Sequence, residues 1–179
     1  MAIDPDREFK PINIALRTIS DSRGIEEDTS GDILAERIKA SGHNLAARAI
    51  EKDDLIQIGA RLNNWIDDRA IDCIITTGGT GVTGRDVTPE ALDRVKSAHD
   101  GKDIPGFGEI FRLISFRTIG TSTVQSRAVA IVASGTYIFA LPGSNGAVKD
   151  GWDGILAEQL DSRNRPCNFV DLMPRLREV

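Results

Sequence analysis

The sequence predicts a three-layer α/β/α domain with a mostly parallel sheet and one antiparallel hairpin near its edge. Short apolar runs of strand length alternate along the chain with segments whose apolar residues recur at helical spacing. The clearest strand, from Ile71 to Thr77, is rich in β-branched residues, as expected for a strand that is covered on both faces. This alternation indicates a parallel sheet with helices packed on each side.

The first two strands and the helix between them are predicted from Ile12 onwards. Ile12 to Thr18 has the length of a buried strand, and Leu45 to Ile50 is the second strand. Between them, Thr29 and Ser30 are candidate N-caps of a helix that carries apolar residues on one face. Gly42 is the expected stop of this helix.

Two further helices are predicted on either side of the Ile71 to Thr77 strand. The first opens at Asp53 or Asp54, since both aspartates are good N-cap residues. The second opens at Thr88-Pro89-Glu90, where Thr88 is the expected cap, proline takes the first helical position and an acid follows.

The second half of the chain repeats the helical and strand patterns with one change. Val129 to Ala133 and Thr136 to Leu141 are two strand-like runs around Ser134-Gly135, which predicts a hairpin. The apolar residues at helical spacing define one helix before the hairpin and one after it: Phe107, Ile110, Phe111 and Ile114 in the first, and Val148, Trp152, Ile155 and Leu156 in the second.

Composition limits the domain organisation and the classes of partner. The 179 residues fit one domain, with 1–11 and 170–179 expected to be flexible or peripheral. The net charge of −5 argues against nucleic-acid binding, and no apolar run is long enough to span a membrane. The acidic N-terminus does not resemble a signal peptide, so we expect a cytoplasmic protein with reduced Cys73 and Cys167. His43 and His99 lie in polar surroundings and are expected at the surface without partners.

A glycine-rich stretch between the strand Ile71 to Thr77 and the helix start at Thr88 is the strongest candidate binding site. Gly78, Gly79 and Gly81 allow a ligand to approach the backbone closely. Their N–H groups, together with the hydroxyls of Thr80 and Thr83, can surround a phosphate. Ligands of open α/β sheets bind beyond the carboxyl ends of the strands, which is where this loop falls.

Two better-known phosphate motifs do not explain the loop. Gly79, Gly81 and Gly84 formally match GxGxxG, but the helix starts later than that fingerprint requires, and no acid ends a second strand about 20 residues on. No Lys-Ser or Lys-Thr pair follows the glycines, which excludes the Walker pattern. A nicotinamide-dependent oxidoreductase is therefore disfavoured.

Carboxylates beside the glycine loop indicate a magnesium ion. With Thr88 expected to cap the following helix, Asp86 has no evident structural task, and a carboxylate among phosphates commonly binds bridging Mg²⁺. Asp53 follows another strand, and the sequence supports two interpretations of it equally, as an N-cap and as a second metal ligand. The loop Leu141 to Gly146 and the segment Ser20 to Ser22 are expected at the same sheet edge, which would suit a ligand with two ends.

These motifs resemble the MoaB/Mog family of molybdenum cofactor biosynthesis proteins. The run Thr76 to Ala91, TTGGTGVTGRDVTPEA, is similar to the family signature, as is the loop Leu141 to Gly143. Pro105 to Arg127 and the tail Arg165 to Phe169 resemble the MoaB branch in particular. The likeness extends over most of the chain, from Ile12 to Phe169.

The resemblance implies the three-layer fold, a trimer or hexamer, and a molybdopterin adenylyltransferase that uses Mg²⁺ and ATP and releases pyrophosphate. It also allows contacts with other molybdenum cofactor biosynthesis proteins. By the same resemblance, Asp53 and Asp86 are the catalytic, metal-binding acids; since inactive relatives lack them, their presence favours an enzyme. The expected substrate-binding residues are Ser20, Gly78, Gly79, Thr80, Gly81, Ser115, Ser126, Pro142, Gly143 and Ser144.

A second hypothesis fits the same motifs, namely a non-catalytic molybdopterin-binding or carrier protein on this fold. The choice between molybdenum and tungsten, between trimer and hexamer, and between Asp53 and Asp54 as the catalytic acid stays open at the level of sequence.

Overall fold

A computed structural model describes residues 3–21 and 24–178. Ser22, which the sequence places at the ligand-binding edge, lies outside the described residues. Within them, six strands form one sheet in the order β2-β1-β3-β6-β5-β4. The strands are β1 (Asn13–Ile19), β2 (Asn44–Glu51), β3 (Cys73–Thr77), β4 (Lys102–Asp103), β5 (Val129–Ala133) and β6 (Thr136–Leu141).

Helices cover both faces of the sheet. They are α1 (Thr29–Ala40), α2 (Leu55–Asp67), α3 (Thr88–Ala98), α4 (Pro105–Ile119), α5 (Asn145–Gly151), α6 (Ala157–Gln159) and α7 (Phe169–Leu172). A π-helical turn, Trp152–Leu156, joins α5 to α6, and 3-10 turns span Ile25–Glu27, Gly120–Gln125 and Met173–Arg175. None of the helices in the described part of the chain is both long and apolar enough to cross a bilayer.

Two apolar cores lie on opposite faces of the sheet, which confirms the predicted three layers. One contains Leu34 of α1, Phe111 of α4 and the fully buried Trp152. The other contains Leu62 of α2 and Leu92 of α3. Alternate residues of each central strand point into the two cores, so these strands are buried on both faces.

The sheet is parallel on one side and antiparallel on the other, as predicted. Strands β2, β1, β3 and β6 run parallel, whereas β5 pairs antiparallel with β6. Ser134 and Gly135 both have positive φ angles, of 47° and 86°, as the tight hairpin between these strands requires. The sequence did not indicate β4, a two-residue edge strand paired with β5.

The predicted helix caps are partly wrong. Asp28, rather than Thr29 or Ser30, caps α1, because its carboxylate accepts the Gly31 N–H at 2.9 Å. Val87 occupies the cap position of α3 without a side-chain hydrogen bond, since the Thr88 hydroxyl instead donates to the Gly78 carbonyl at 3.0 Å. The helix stop at Gly42 is confirmed by a φ of 85° directly after α1.

The prediction of two partnerless surface histidines is also wrong. His43 is 5% exposed and packs between the Phe9 and Trp152 rings, and this burial lowers its pKa. His99 is partly buried and hydrogen-bonds to Ser134 and Asn63, at 3.0 Å each. In both cases the polar neighbours in the sequence suggested exposure. The residues that contact each histidine come from distant parts of the chain.

The first and last segments of the described chain contact each other. Ile3 forms a β-bridge with Asn164, and Arg7 forms an ion pair with Asp171 at 2.7 Å. These contacts bring the ends of the described chain together on one side of the domain.

Candidate functional site

The carboxyl ends of the four parallel strands bring the predicted site residues to one edge of the sheet. Strands β1, β2, β3 and β6 end at Ile19, Glu51, Thr77 and Leu141. The segments that follow these residues carry the acids, the glycines and the proline-glycine loop. The expectation that all three lie at the same edge is confirmed by the topology.

The glycine loop lies in the middle of this edge and is held close to the neighbouring backbone. Gly78 and Gly79 have φ angles of 105° and 64°, which residues other than glycine rarely adopt. The Gly78 N–H donates to the Leu141 carbonyl at 2.9 Å, and a Cβ at Gly78 would overlap the Ile19 carbonyl. Glycine is therefore required here by both conformation and space.

On one side of the loop lies a group of acids, Asp21, Asp53 and Asp86. A Cβ at Gly79 would overlap Asp53 Oδ1, so this carboxylate lies directly against the loop. Asp53 Oδ1 is buried and has no hydrogen-bond partner among the described residues. Burial and the nearby charges of Asp21 and Asp86 raise the pKa of Asp53 to about 6. Asp53 is thus a carboxylate without the partners that a buried charge requires.

The neighbouring Asp54 has a different task. Its Oδ1 accepts the backbone N–H groups of Ile56 at 3.0 Å and Gln57 at 2.8 Å, so Asp54 is the N-cap of α2. Capping is therefore excluded as the role of Asp53, an alternative that the sequence left open.

Asp86 has a structural task that the sequence did not reveal. Its Oδ2 accepts from the Thr83 N–H at 2.9 Å and from the Thr83 hydroxyl at 2.6 Å, which closes the end of the glycine loop. Partial burial acts to raise its pKa, but the bonds from Thr83 and the Gly81 backbone lower the pKa overall. The inference that Asp86 is free of structural duties is wrong, and the residue is held ionised beside the loop.

Asp21 contributes charge and also orders its neighbours. Arg85 donates to both carboxylate oxygens of Asp21, at 2.7 and 2.9 Å, and the Asp53 N–H donates to Asp21 Oδ1 at 3.2 Å. Ser20 lies just before this residue, and its N–H donates to the Glu51 carbonyl at 2.9 Å. Ser20 is therefore placed at the strand end beside the acids.

On the other side of the loop is a cavity of about 250 Å³ between α4, the 3-10 turn after it and the start of α5. The predicted binding residues that line it are Thr80, Gly81, Ser115, Ser126, Pro142 and Ser144. Gly78, Gly79 and Gly143 do not line it; the first two lie against the strand end and the acids. The glycine loop thus separates an acidic region from a cavity rich in hydroxyl groups.

Two residues of this region were missed by sequence reasoning. Arg127 connects the loop to its surroundings: its guanidinium donates to the Gly81 and Asp86 carbonyls at 2.6 and 2.7 Å and pairs with Glu90. Asp150 lines the cavity from α5. No local pattern marks either residue, because their partners are 35 or more positions away along the chain.

A wider cleft of about 740 Å³ lies at the opposite edge of the sheet, between the turn at Ser134-Gly135 and the segment 175–178. Size alone would favour it. It contains neither the glycine loop nor the acids, however, and two of its arginines are already engaged: Arg175 pairs with Glu178, and Arg177 donates to the Ser134 carbonyl. We therefore place the functional site at the carboxyl edge.

Comparison with known proteins identifies the family of the chain. The profile of a family described as "Probable molybdopterin binding domain" matches residues 15–162, which include the glycine loop, the acids and the cavity. Molybdenum cofactor biosynthesis protein B of Escherichia coli K12 is 47% identical over 162 residues, covering 90% of this chain and 93% of the relative. The corresponding protein of Halalkalibacterium halodurans is 41% identical over 163 residues, covering 89% and 94%.

Solved structures lead to the same family. A crystal structure of molybdenum cofactor biosynthesis protein B superposes with a TM-score of 0.84 at 33% identity, covering 97% of this chain and all of the other. The tungsten cofactor synthesizing protein MoaB from Pyrococcus furiosus gives 0.77 at 32% identity, covering 94% and 99%. By its sequence, its fold and the residues at its carboxyl edge, the chain belongs to the molybdopterin-binding domain family, in the branch of molybdenum cofactor biosynthesis protein B.

Proposed function

We propose that the protein is a cytoplasmic molybdopterin adenylyltransferase. In this reaction a terminal phosphate oxygen of molybdopterin attacks the α-phosphorus of ATP. The bond from that phosphorus to the bridging oxygen breaks, and pyrophosphate leaves. Adenylylation precedes metal insertion, so the same step would serve a molybdenum or a tungsten pathway.

The strongest support is the state of Asp53. A half-buried carboxylate with a raised pKa and an unpartnered Oδ1, placed against a phosphate-type glycine loop, is costly for the fold. Such a cost is typical of functional sites. A pure binding protein would not need this acid, since backbone N–H groups suffice to hold a phosphate.

The acids fit magnesium. No group of three or more His, Cys, Asp or Glu within residues 3–21 and 24–178 could hold a metal alone. Asp53 and Asp86 would instead act as the two protein ligands, which suits an ion that commonly binds through one or two carboxylates and substrate phosphates. When bound, magnesium would offset the negative charge of the phosphates and orient them.

The chain's own residues would position the reactants. Within the glycine loop, the N–H groups of Gly79 and Thr80 would be the donors to the phosphate, because the Gly78 N–H already donates to the Leu141 carbonyl. Arg127 fixes the loop through the carbonyls of Gly81 and Asp86. Because Arg85 is held by Asp21, one positive charge stays close to Asp21 and Asp53. Positioning and charge are the main contributions that phosphoryl-type transfers require of a protein.

The test of the proposal is incubation of the purified protein with molybdopterin, ATP and magnesium, with detection of adenylylated pterin and pyrophosphate. We expect both products in equal amounts. Tight molybdopterin binding without either product would make the protein a carrier on the same fold. If the protein neither bound molybdopterin nor formed a product, molybdopterin would not be its ligand.

We predict that Asp86→Asn reduces adenylylation by about 100-fold or more, because asparagine lacks the charge that favours a hard divalent cation. Asparagine still accepts the Thr83 hydrogen bonds, so the loop should stay closed and the unfolding transition should hardly move. Thr83→Ala removes the bond from the hydroxyl but keeps the bond from the backbone N–H and the carboxylate itself, and should cost less than about tenfold. Equal losses in the two variants would assign Asp86 to loop geometry alone.

We also propose that the protein is a homo-oligomer of threefold symmetry, a trimer or a pair of trimers. Several apolar side chains of α4 and the following 3-10 turn are exposed, a pattern typical of an interface. They are Ile110, Leu113, Phe116, Ile119 and Val124. Ile110, one of the apolar residues from which the sequence predicts this helix, is 47% exposed.

We expect Phe116→Glu to dissociate the oligomer, because an unpaired carboxylate would be buried in the interface. Light scattering should show the mass fall to that of one chain. Ile56→Glu, at an exposed apolar position of α2, is the control and should leave the mass unchanged. A wild-type monomer would contradict the oligomer, whereas an oligomeric Phe116→Glu variant would move the interface elsewhere.

A further inference from the structure

Asp150 is the charged residue of the cavity beside the glycine loop. Among the described residues that line this cavity, the others are uncharged: hydroxyl-bearing side chains, Gln125, small residues and the apolar Phe111, Ile119 and Pro142. An aspartate in such surroundings is costly unless it meets donors. The cavity therefore favours a ligand end that carries N–H groups, and disfavours a phosphate.

The carboxylate of Asp150 is held in place with part of its accepting capacity free. The hydroxyl of Ser115, a 2% exposed residue of α4, donates to Asp150 Oδ2 at 2.8 Å. The described residues supply no donor to Oδ1. Each carboxylate oxygen accepts two hydrogen bonds, so Oδ1 and the second lone pair of Oδ2 can together receive two parallel donors.

We propose that Asp150 is the residue that recognises the ring edge of the ligand, accepting two hydrogen bonds from the N–H and NH₂ groups of a 2-amino-4-oxopyrimidine ring. This edge presents two adjacent donors in one plane, the arrangement that a carboxylate receives bidentately. Pterins and guanine share it, and adenine lacks it. The inference rests on the proposed function in one respect: it takes the pterin end of molybdopterin as the natural bearer of the edge.

The size of the cavity and its position agree with this assignment. A volume of about 250 Å³ is just below the usual range for small-molecule sites, roughly 300–1,000 Å³, so it suits one ring system rather than a whole nucleotide. Gly81 and Thr80 line the end of the cavity that belongs to the glycine loop. A ligand with its ring edge on Asp150 therefore extends its phosphate towards the loop, and the negative charge of Asp150 opposes the reverse orientation.

A purely structural role for Asp150, as a tether between α5 and α4, can be separated from recognition. Asparagine accepts the Ser115 hydroxyl as well as aspartate does, so Asp150→Asn keeps the tether. The substitution replaces two acceptor oxygens by one acceptor oxygen and one NH₂ donor. This pair matches the edge of a 2,4-dioxopteridine, which carries an oxygen at the position where a pterin carries its amino group. A recognition residue thus predicts a change of preference, whereas a tether predicts none.

The experiment measures equilibrium binding of 6-hydroxymethylpterin and 6-hydroxymethyllumazine, which differ at the 2-position, by quenching of their fluorescence. We expect the wild-type protein to prefer the pterin by about tenfold or more, since a site built for a donor rejects an analogue that lacks it. We expect Asp150→Asn to abolish or reverse this preference. Asp153→Asn, an exposed carboxylate on the same helical segment that pairs with Arg37, is the matched control and should keep the wild-type preference.

Guanosine and inosine form a second arm, because they differ in the same 2-amino group. Tighter binding of the pterin than of guanosine assigns the cavity to the pterin, and the opposite result assigns it to guanine; loss of discrimination in Asp150→Asn supports the recognition role in either case. No preference in the wild-type protein, a preference that survives Asp150→Asn, or no binding of any of the four compounds would overturn it. Adenylylation of molybdopterin is a separate readout, so an active enzyme with an unchanged Asp150→Asn preference would lose this inference alone.

Discussion

Asp53→Asn is expected to abolish adenylylation and at the same time to stabilise the protein. The activity should fall by at least about 100-fold, because asparagine cannot supply the charge proposed to bind magnesium. The stability should rise, because the raised pKa of Asp53 means that the folded state disfavours the ionised carboxylate. Catalysis and stability should therefore move in opposite directions in one variant.

The gain in stability depends on pH. A pKa raised from 3.8 to about 6 means that the folded state binds more protons than the unfolded state between these values, so Asp53 lowers stability as the pH rises through this window. In an unscreened site this shift would correspond to about 3 kcal/mol. Because Asp53 is only partly buried, solvent screening reduces the expected gain of Asp53→Asn at pH 7 to about 1 kcal/mol.

Urea unfolding at pH 7 and pH 4.5 measures this effect, and the gain should be present at pH 7 and small at pH 4.5. Wild-type activity should decline as the pH falls through about 6, where Asp53 becomes protonated. Asp54→Asn is the control: asparagine caps α2 about as well as aspartate, so both activity and stability should stay near wild type. An active Asp53→Asn variant would remove this acid from the mechanism.

Glu51→Gln is expected to cause the largest loss of stability, about 3 kcal/mol. Arg17 is fully buried between β1 and α2, where it donates to the Ile58 carbonyl at 2.8 Å and pairs with Glu51. Burial lowers the pKa of Arg17 to about 9, so it stays charged at neutral pH. Removing the charge of Glu51 leaves a buried cation without its counter-ion, which typically costs about 3–5 kcal/mol.

Thermal unfolding should show a fall in Tm of roughly 6–12 °C for Glu51→Gln. The double variant Arg17→Met, Glu51→Gln removes both charges and should recover part of the loss, because the pair interacts directly. Arg61, which donates to the other oxygen of Glu51 at 2.7 Å, lies at the surface, and Arg61→Met should cost about 1 kcal/mol or less. Additive losses in the double variant would show that the two buried charges are not coupled.

The Arg17–Glu51 pair also bears on the site. Glu51 is the last residue of β2 and precedes Asp53 by two positions. The Ser20 N–H donates to the Glu51 carbonyl, so β1 and β2 are joined where the acidic region begins. A variant that weakens the contact between the ends of β1 and β2 should therefore raise the KM for ATP even where the protein is still folded.

Local patterns were sufficient for most of the fold. The buried strands β1 and β3 were predicted to within two residues, because apolar runs of strand length have few alternatives in an α/β chain. The hairpin between β5 and β6 was predicted from Ser134-Gly135, since a tight turn needs residues that tolerate positive φ. Strand β4 was not predicted, because two residues carry no periodicity.

Capping illustrates why the site was harder to predict. Thr88 was expected to cap α3 and Asp86 to be free, whereas the Thr88 hydroxyl bonds to Gly78 and the Asp86 carboxylate bonds to Thr83. A hydroxyl or carboxylate can satisfy several nearby backbone groups, and sequence does not rank these partners.

Sequence by itself determined the layer order, the glycine loop at the carboxyl edge and the resemblance to a molybdenum cofactor family, because each of these depends on residues that are close together in the chain. Tertiary structure decided that Asp54 caps α2 while Asp53 faces the loop, that His43 is buried, and that Asp150 meets Ser115 across a cavity. These relations join residues that are distant in sequence or differ only in the direction of one side chain. They are set by the packing of helices on the sheet, which no local pattern encodes.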